Sequence, residues 1–298
     1  MRLGLVVFLC VLNVGCAIVR KDREEPVENG PREEKAEPVL KPSEVLKPKS
    51  HEIASPINDH FWVRGTYFQG DVTTLMRIDS TGAITPDGTV LSGEDDLGLD
   101  DVVNQGRMEF NLRMGERNNV RIDYFKLSRF SEVILADPIS FSDFDFDAGD
   151  RFRTELDWST LSLNYTYSAI KTDRFEWGLG LGFSIFDFRA EGGEPGTIDN
   201  KEDTEAGIFP NVATFFTWRI SRRWAFNIRH NQLKLIDDTA DGNYQDSHAD
   251  VQYRWRPNFA FGLGYSRLRI DLDVHDDDEP FLFDLECTGP EVFFRASF

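Results

Sequence analysis

Cysteine is nearly missing from the part of this chain that can fold. Three cysteines occur in 298 residues, and Cys10 and Cys16 lie in or beside an apolar N-terminal run, so Cys287 alone remains. A single thiol excludes both a disulfide framework and a cysteine-ligated metal site. Helical spacing is missing too: from Asp59 onward no stretch reads as a convincing helix. Basic residues are in deficit. Lys and Arg total 33 against 52 Asp and Glu, a formal charge of −19. That balance argues against nucleic-acid binding, which needs a basic face.

What is present at the front is a secretory signal over 1–17. Arg2 precedes an apolar run from Leu3 to Val14, followed by the small residues Gly15 and Ala17. The run is too short to cross a bilayer as a helix. Two processing routes fit. Cleavage after Ala17 is one; the other takes Val14-Gly15-Cys16 as a lipobox with Cys16 as the lipidation site, although Asn13 stands where a lipobox wants Leu. Residues 18–56 are rich in Pro, Glu and Lys and contain no Phe, Trp or Tyr. Such a segment cannot bury enough apolar surface to offset its ordering entropy, and it is expected to be a disordered periplasmic linker. The folded region is expected over 57–298.

From Asp59 the period is two. Met108, Phe110, Leu112 and Met114 alternate with Glu109, Asn111 and Arg113; Phe259, Phe261, Leu263 and Tyr265 alternate with Ala260, Gly262, Gly264 and Ser266. Each set gives a strand with one apolar face. A mean hydropathy of −0.40 does not separate a soluble sandwich from a membrane barrel, because a barrel needs apolar residues at alternate positions alone. The links do separate them. Short ones at Gly115–Asn119, Lys171–Arg174, Ser221–Arg223 and Arg256–Asn258 alternate with long ones near 70–105, 131–150, 190–207, 237–247 and 275–280. That alternation belongs to an up-and-down barrel. Trp62, Trp177, Trp218, Trp224 and Trp255 fall on the short-turn side, as an aromatic belt would. The sequence therefore predicts an all-β fold, an antiparallel up-and-down transmembrane β-barrel of about ten strands within a range of eight to twelve; an added hairpin over 73–79 and 88–92 gives the higher number.

The last residues alternate in the same way, with Val292, Phe294, Ala296 and Phe298 on one face. This ending resembles the C-terminal strand of Gram-negative outer-membrane barrels, and the resemblance implies that the four residues are a barrel-assembly signal. Further phrases are Phe61-Trp62-Val63-Arg64-Gly65, Arg121-Ile122-Asp123-Tyr124-Phe125 and, most specific, Asp96-Leu97-Gly98-Leu99-Asp100. Together they resemble a family of small, mostly uncharacterised outer-membrane barrels of the OmpA/OmpW-like kind. The likeness runs from Phe61 to Phe298. It implies the cell outer membrane, with the linker in the periplasm and the long loops outside, and no established activity.

Function is read from the inward face. Glu109, Arg113, Arg121, Asp123, Arg153, Glu155, Asp157, Asp250 and Arg254 supply both signs of charge. In a narrow barrel they can pair across the lumen and fill it. The expectation is a monomeric barrel with a structural or surface-interaction role; a narrow pore for small solutes or ions is the alternative. Its partners would be outer-membrane lipid and the barrel-assembly machinery. Acidic loop runs, Asp143, Asp145, Asp147 and Asp150, then Asp276, Asp277, Asp278 and Glu279, offer oxygen ligands to divalent cations without a full calcium-loop spacing. No cofactor and no enzyme are expected. A lipid-modifying barrel would set a Ser two residues from a wall histidine, yet His230 is followed by Gln232, and His248 supplies no hydroxyl nucleophile.

Overall fold

The computed structural model describes residues 56–79, 88–141, 144–193, 201–236, 240–274 and 281–298. The chain divides into two units, Met1–Pro48 and Lys49–Phe298, and the described residues belong to the second. The signal segment with Cys16, and the linker up to residue 55, lie outside the described residues.

A 3-10 turn, Pro56–Asn58, leads into β1 (Phe61–Ile78), β2 (Leu91–Ser92), β3 (Val102–Met114), β4 (Asn118–Ile134), β5 (Ile139–Phe141), β6 (Phe144–Phe146) and β7 (Arg151–Lys171). Then come β8 (Phe175–Gly193), β9 (Lys201–Arg219), β10 (Trp224–Ile236), β11 (Ala240–Arg256), β12 (Phe259–Val274) and β13 (Phe281–Ser297). Leaving aside the short β2, β5 and β6, ten strands pair antiparallel with their neighbours, and β13 closes on β1 from Trp62↔Ser297 to Ile78↔Phe281. Around the short-turn half the ring is complete and leaves no free sheet edge, which a lipid environment requires because it offers no water to unpaired amides. At the β3–β4 turn, Gly115 takes a φ of 69°, a left-handed conformation that costs glycine little. Gly180 faces inward on β8, where a Cβ would collide with the carbonyl oxygen of Tyr165.

The strands run further than their polarity suggested. Thr73–Ile78 continues β1, and Leu91–Ser92 merely pairs alongside it at Leu75 and Met76. Among the described residues that short pairing adds no strand to the wall, so the strand number is ten. Likewise Asp241–Ser247, expected as loop, is the first part of β11.

Their extra length changes which face is apolar. On β1 the apolar residues switch from the outward Phe61, Val63 and Tyr67 to the inward Phe68, Val72 and Met76. On β7 they switch from outward Leu161, Leu163, Tyr165 and Tyr167 to inward Phe152, Leu156 and Trp158. On β12 outward Phe261, Leu263 and Tyr265 give way to inward Leu268 and Ile270. One physical cause covers all three. Near the short turns the outer wall faces hydrocarbon, so Leu181 and Leu263 stand 69% and 67% exposed. Beyond that belt the wall faces water, and apolar residues turn inward to a core of their own. About four outward apolar positions per strand, at ~3.3 Å per residue and a tilt of ~40°, make a belt roughly 15–20 Å high.

The upper core is aromatic. Trp158 lies 5.2 Å from Phe186, 5.9 Å from Phe188 and 5.8 Å from Phe283 between ring centroids. Leu91, Leu97 and Leu99 enter it from the segment before β3. The Asp-Leu-Gly-Leu-Asp phrase is thus a packing device: its two leucines are buried, and Gly98 takes a φ of 64° against Val133.

Two expectations are corrected by this inversion. Arg153, Glu155 and Asp157 point outward, not into the lumen, because they sit above the belt where the outer face of β7 meets water. There Arg153 pairs with Glu155 and Lys126 with Asp157. Trp62 leaves the proposed aromatic belt: it shares the inward face with Arg64, and the Arg295 guanidinium stacks 4.5 Å from its ring. Trp177, Trp218, Trp224 and Trp255 are exposed on the outer wall near the short turns.

The inversion predicts a depth dependence. Leu263→Arg, in the belt, should cost about 2–4 kcal/mol, whereas Ser128→Arg, on the outer face above it, should stay within about 0.5 kcal/mol. Urea titration of the barrel refolded in lipid vesicles, followed by tryptophan fluorescence, measures both; equal costs would contradict the boundary.

Candidate functional site

Inside the belt, the inward positions form a continuous ionic layer. Arg64 on β1 is its hub: its guanidinium lies 2.6 Å from Asp250 on β11, 2.5 Å from Glu291 on β13 and 3.1 Å from Glu109 on β3. Arg229 reaches Glu109 from β10, across the lumen. Arg107 spans the opposite direction, 3.1 Å from Asp246 and 3.4 Å from Asp123. His248 stands between two carboxylates, 3.0 Å from Asp246 and 3.0 Å from Glu291, and touches Arg107. Asn227 donates to Asp250 at 2.7 Å.

Nearer the short turns, Arg113 grips Glu176 bidentately at 2.6 and 2.8 Å. Arg254 and Arg295 both hold Asp59, at 2.6 and 2.7 Å. Asp59 precedes β1, so this pair of bonds ties the incoming chain into the barrel mouth. Arg121 donates to the side-chain oxygen of Asn231 at 2.9 Å. These charges are almost wholly buried. Desolvation would make any one of them costly alone, and mutual pairing is what lets them stay ionised.

Of the residues proposed from sequence, the structure brings Glu109, Arg113, Arg121, Asp123, Asp250 and Arg254 into this layer. Sequence reasoning passed over Arg64, Arg107, Arg229, Glu176, Asp246, Glu291 and Arg295. Their signal was present: Glu176 sits between Phe175 and Trp177, Arg229 between Ile228 and His230, and Arg295 between Phe294 and Ala296. Each is the polar member of an alternation whose apolar members face lipid.

On the outer wall, Val292, Phe294 and Phe298 are exposed along one face, with Ala296 half-buried among them. Phe298 exchanges two backbone hydrogen bonds with Phe61, at 2.7 and 3.1 Å. His230 faces outward at the upper rim of the belt, and its Nδ1 lies 2.8 Å from the Ser247 hydroxyl on β11. This serine was invisible to a search along one strand because the pairing register, His230↔Ser247, brings it from the next. Among the acidic loop residues, Ser140 donates to Asp145 at 2.7 Å and the Asp147 amide to Asp150 at 2.9 Å. Asp143 and 276–279 lie outside the described residues. Among the described residues no group of three or more His, Cys, Asp or Glu side chains gathers as metal ligands would.

No family model matches the chain, and no curated protein does. Solved structures do resemble it. The outer membrane protease OmpT from Escherichia coli is 10% identical, covers 80% of this chain and 97% of its own, with a TM-score of 0.45. OprG, an outer membrane protein from Pseudomonas aeruginosa, is 12% identical over 80% of this chain and 95% of its own, with a TM-score of 0.39. An outer membrane channel from Pseudomonas putida F1 is 10% identical over 85% of this chain and 100% of its own, with a TM-score of 0.35. These likenesses are too distant to carry a role across.

Proposed function

We propose that this chain is an outer-membrane barrel with a sealed lumen, serving a structural or surface-interaction role and not solute passage. The observation behind this reading is that two unlike layers fill the lumen in series. The ionic layer occupies the belt, and the aromatic core around Trp158 and Leu285 blocks the space beyond it. An ion would have to cross both a paired charge network and a dry apolar segment.

In this reading the short turns and the linker lie in the periplasm, and the long-loop end stands outside the cell. The wall continues above the belt by roughly nine residues on β7, about 20 Å at strand spacing and tilt. That collar offers a rigid, water-facing surface of mixed charge to a partner. The exposed stripe ending at Phe298 is what the assembly machinery would recognise. Planar-bilayer recording of the refolded protein tests the seal: a flat trace is expected, and unitary current steps of stable size would overturn it in favour of a narrow pore.

The His230–Ser247 pair favours a second reading, ester hydrolysis at the membrane surface, with His230 as base and Ser247 as nucleophile. Among the described outer-face neighbours, Thr214, Gln232, Gln245 and Arg267, no carboxylate orients the imidazole. On the first reading, purified protein leaves phospholipid acyl chains intact. Fatty-acid release that disappears in Ser247→Ala would establish the second.

A further inference from the structure

The ionic layer is not evenly balanced at its short-turn end. A cavity of about 60 Å³ opens there, edged by Pro56 and Trp62. Five guanidinium groups line it, Arg64, Arg113, Arg121, Arg229 and Arg295, against a single carboxylate, Glu176. Three of the five are committed elsewhere: Arg113 to Glu176, Arg295 to Asp59, and Arg64 to its three carboxylates. Two are not. Arg121 is bonded to the neutral Asn231, and Arg229 shares Glu109 with Arg64.

Both side chains are more than nine-tenths buried. The Nε of Arg121 and the Nε and Nη2 of Arg229 have no hydrogen-bond partner. Buried guanidinium N–H groups without acceptors are costly, and they stay charged at any physiological pH. The side chains that carry them line a cavity large enough for several water-sized atoms, where an acceptor that also brings negative charge would relieve them after a small side-chain rotation.

We propose that this cavity binds a small oxyanion, a phosphate, sulfate or carboxylate group, held between Arg121 and Arg229. The oxyanion accepts the three open N–H groups, and Arg64 and Arg295 add to the positive field. The barrel wall is hydrogen-bonded all round, so a lipid headgroup cannot slide in from the side. The anion arrives past Pro56 and Trp62 from the short-turn end. It need not cross the lumen, so the site stands whether or not the barrel is sealed.

The test is calorimetric titration of the full refolded chain in detergent micelles with inorganic phosphate, at constant ionic strength set with chloride. One saturable site per chain is expected. Arg121→Gln and Arg229→Gln should each weaken it at least about tenfold, the loss of one charge-assisted contact. Arg121→Lys keeps the charge without the fork and should fall between. Arg174 and Arg222, exposed on the short turns, supply the control: an Arg174→Gln, Arg222→Gln double variant should bind within about twofold of the parent. Absence of saturable binding to the parent protein overturns the proposal without need of any lumen variant. So does loss of binding in the turn variant, which would place the anion on the rim, or undiminished binding by folded Arg121→Gln.

Discussion

Replacing Arg64 with Met should cost the barrel about 3–5 kcal/mol, the penalty for breaking a buried ion pair from one side. Glu109 keeps Arg229, Glu291 keeps His248 and Asp250 keeps Asn227, yet each loses its shortest or second charged contact in a site shut off from water. Nothing in the substitution supplies a compensating proton or cation. The effect should appear as a lowered urea midpoint for the refolded barrel. Arg64→Lys should recover part of the loss, since an ammonium keeps the charge but cannot fork to three acceptors. Adding Glu291→Gln and Asp250→Asn to Arg64→Met should also recover part of it, because the stranded charges are then removed. A midpoint for Arg64→Met unchanged from the parent would mean that the hub carries no weight.

Trp158→Ala should cost a similar amount, about 3–5 kcal/mol, through a different mechanism. The indole is 1% exposed, packs against Phe186, Phe188 and Phe283, and donates its Nε1–H to Thr160 at 2.8 Å. Its removal opens a cavity between strands on opposite walls and takes one partner from each of three rings, which keep Phe209, Tyr244 and one another. The damage should stay above the belt. Limited proteolysis should cut the long-loop end of the variant sooner than that of the parent, while the lipid-embedded wall remains resistant. Proteolysis at the parent's rate together with an unchanged urea midpoint would show that the upper core does not hold the collar.

The outer half of each strand was easily read from the sequence. Phe175, Trp177, Leu179, Leu181 and Phe183 alternate without interruption, and the hydrocarbon outside is what demands it. The inward ionic layer was half legible, because charge at an alternate position marks the lumen where the flanking residues are lipid-facing, as with Glu109 between Met108 and Phe110. The same rule failed for Arg153, Glu155 and Asp157. Their neighbours Phe152, Leu156 and Trp158 are apolar too, but those face inward. The clue was a phase shift: Trp158 and Leu161 are three residues apart, so they cannot share a face of one strand. The partners of Arg229 and His230 were out of reach for another reason. The partner of His230 depends on the register of paired strands, and that of Arg229 on the closure that sets β10 across the lumen from β3; alternation along one strand encodes neither.

The pairing of β1 with β13 joins residues more than 200 positions apart in the chain. While the protein is being made, Phe61–Ile78 has no second neighbour until Phe281–Ser297 has emerged, and the nascent sheet carries two sticky margins. The ring cannot close before the last strand exists, and anything that shielded those margins until then would suppress their pairing with other chains.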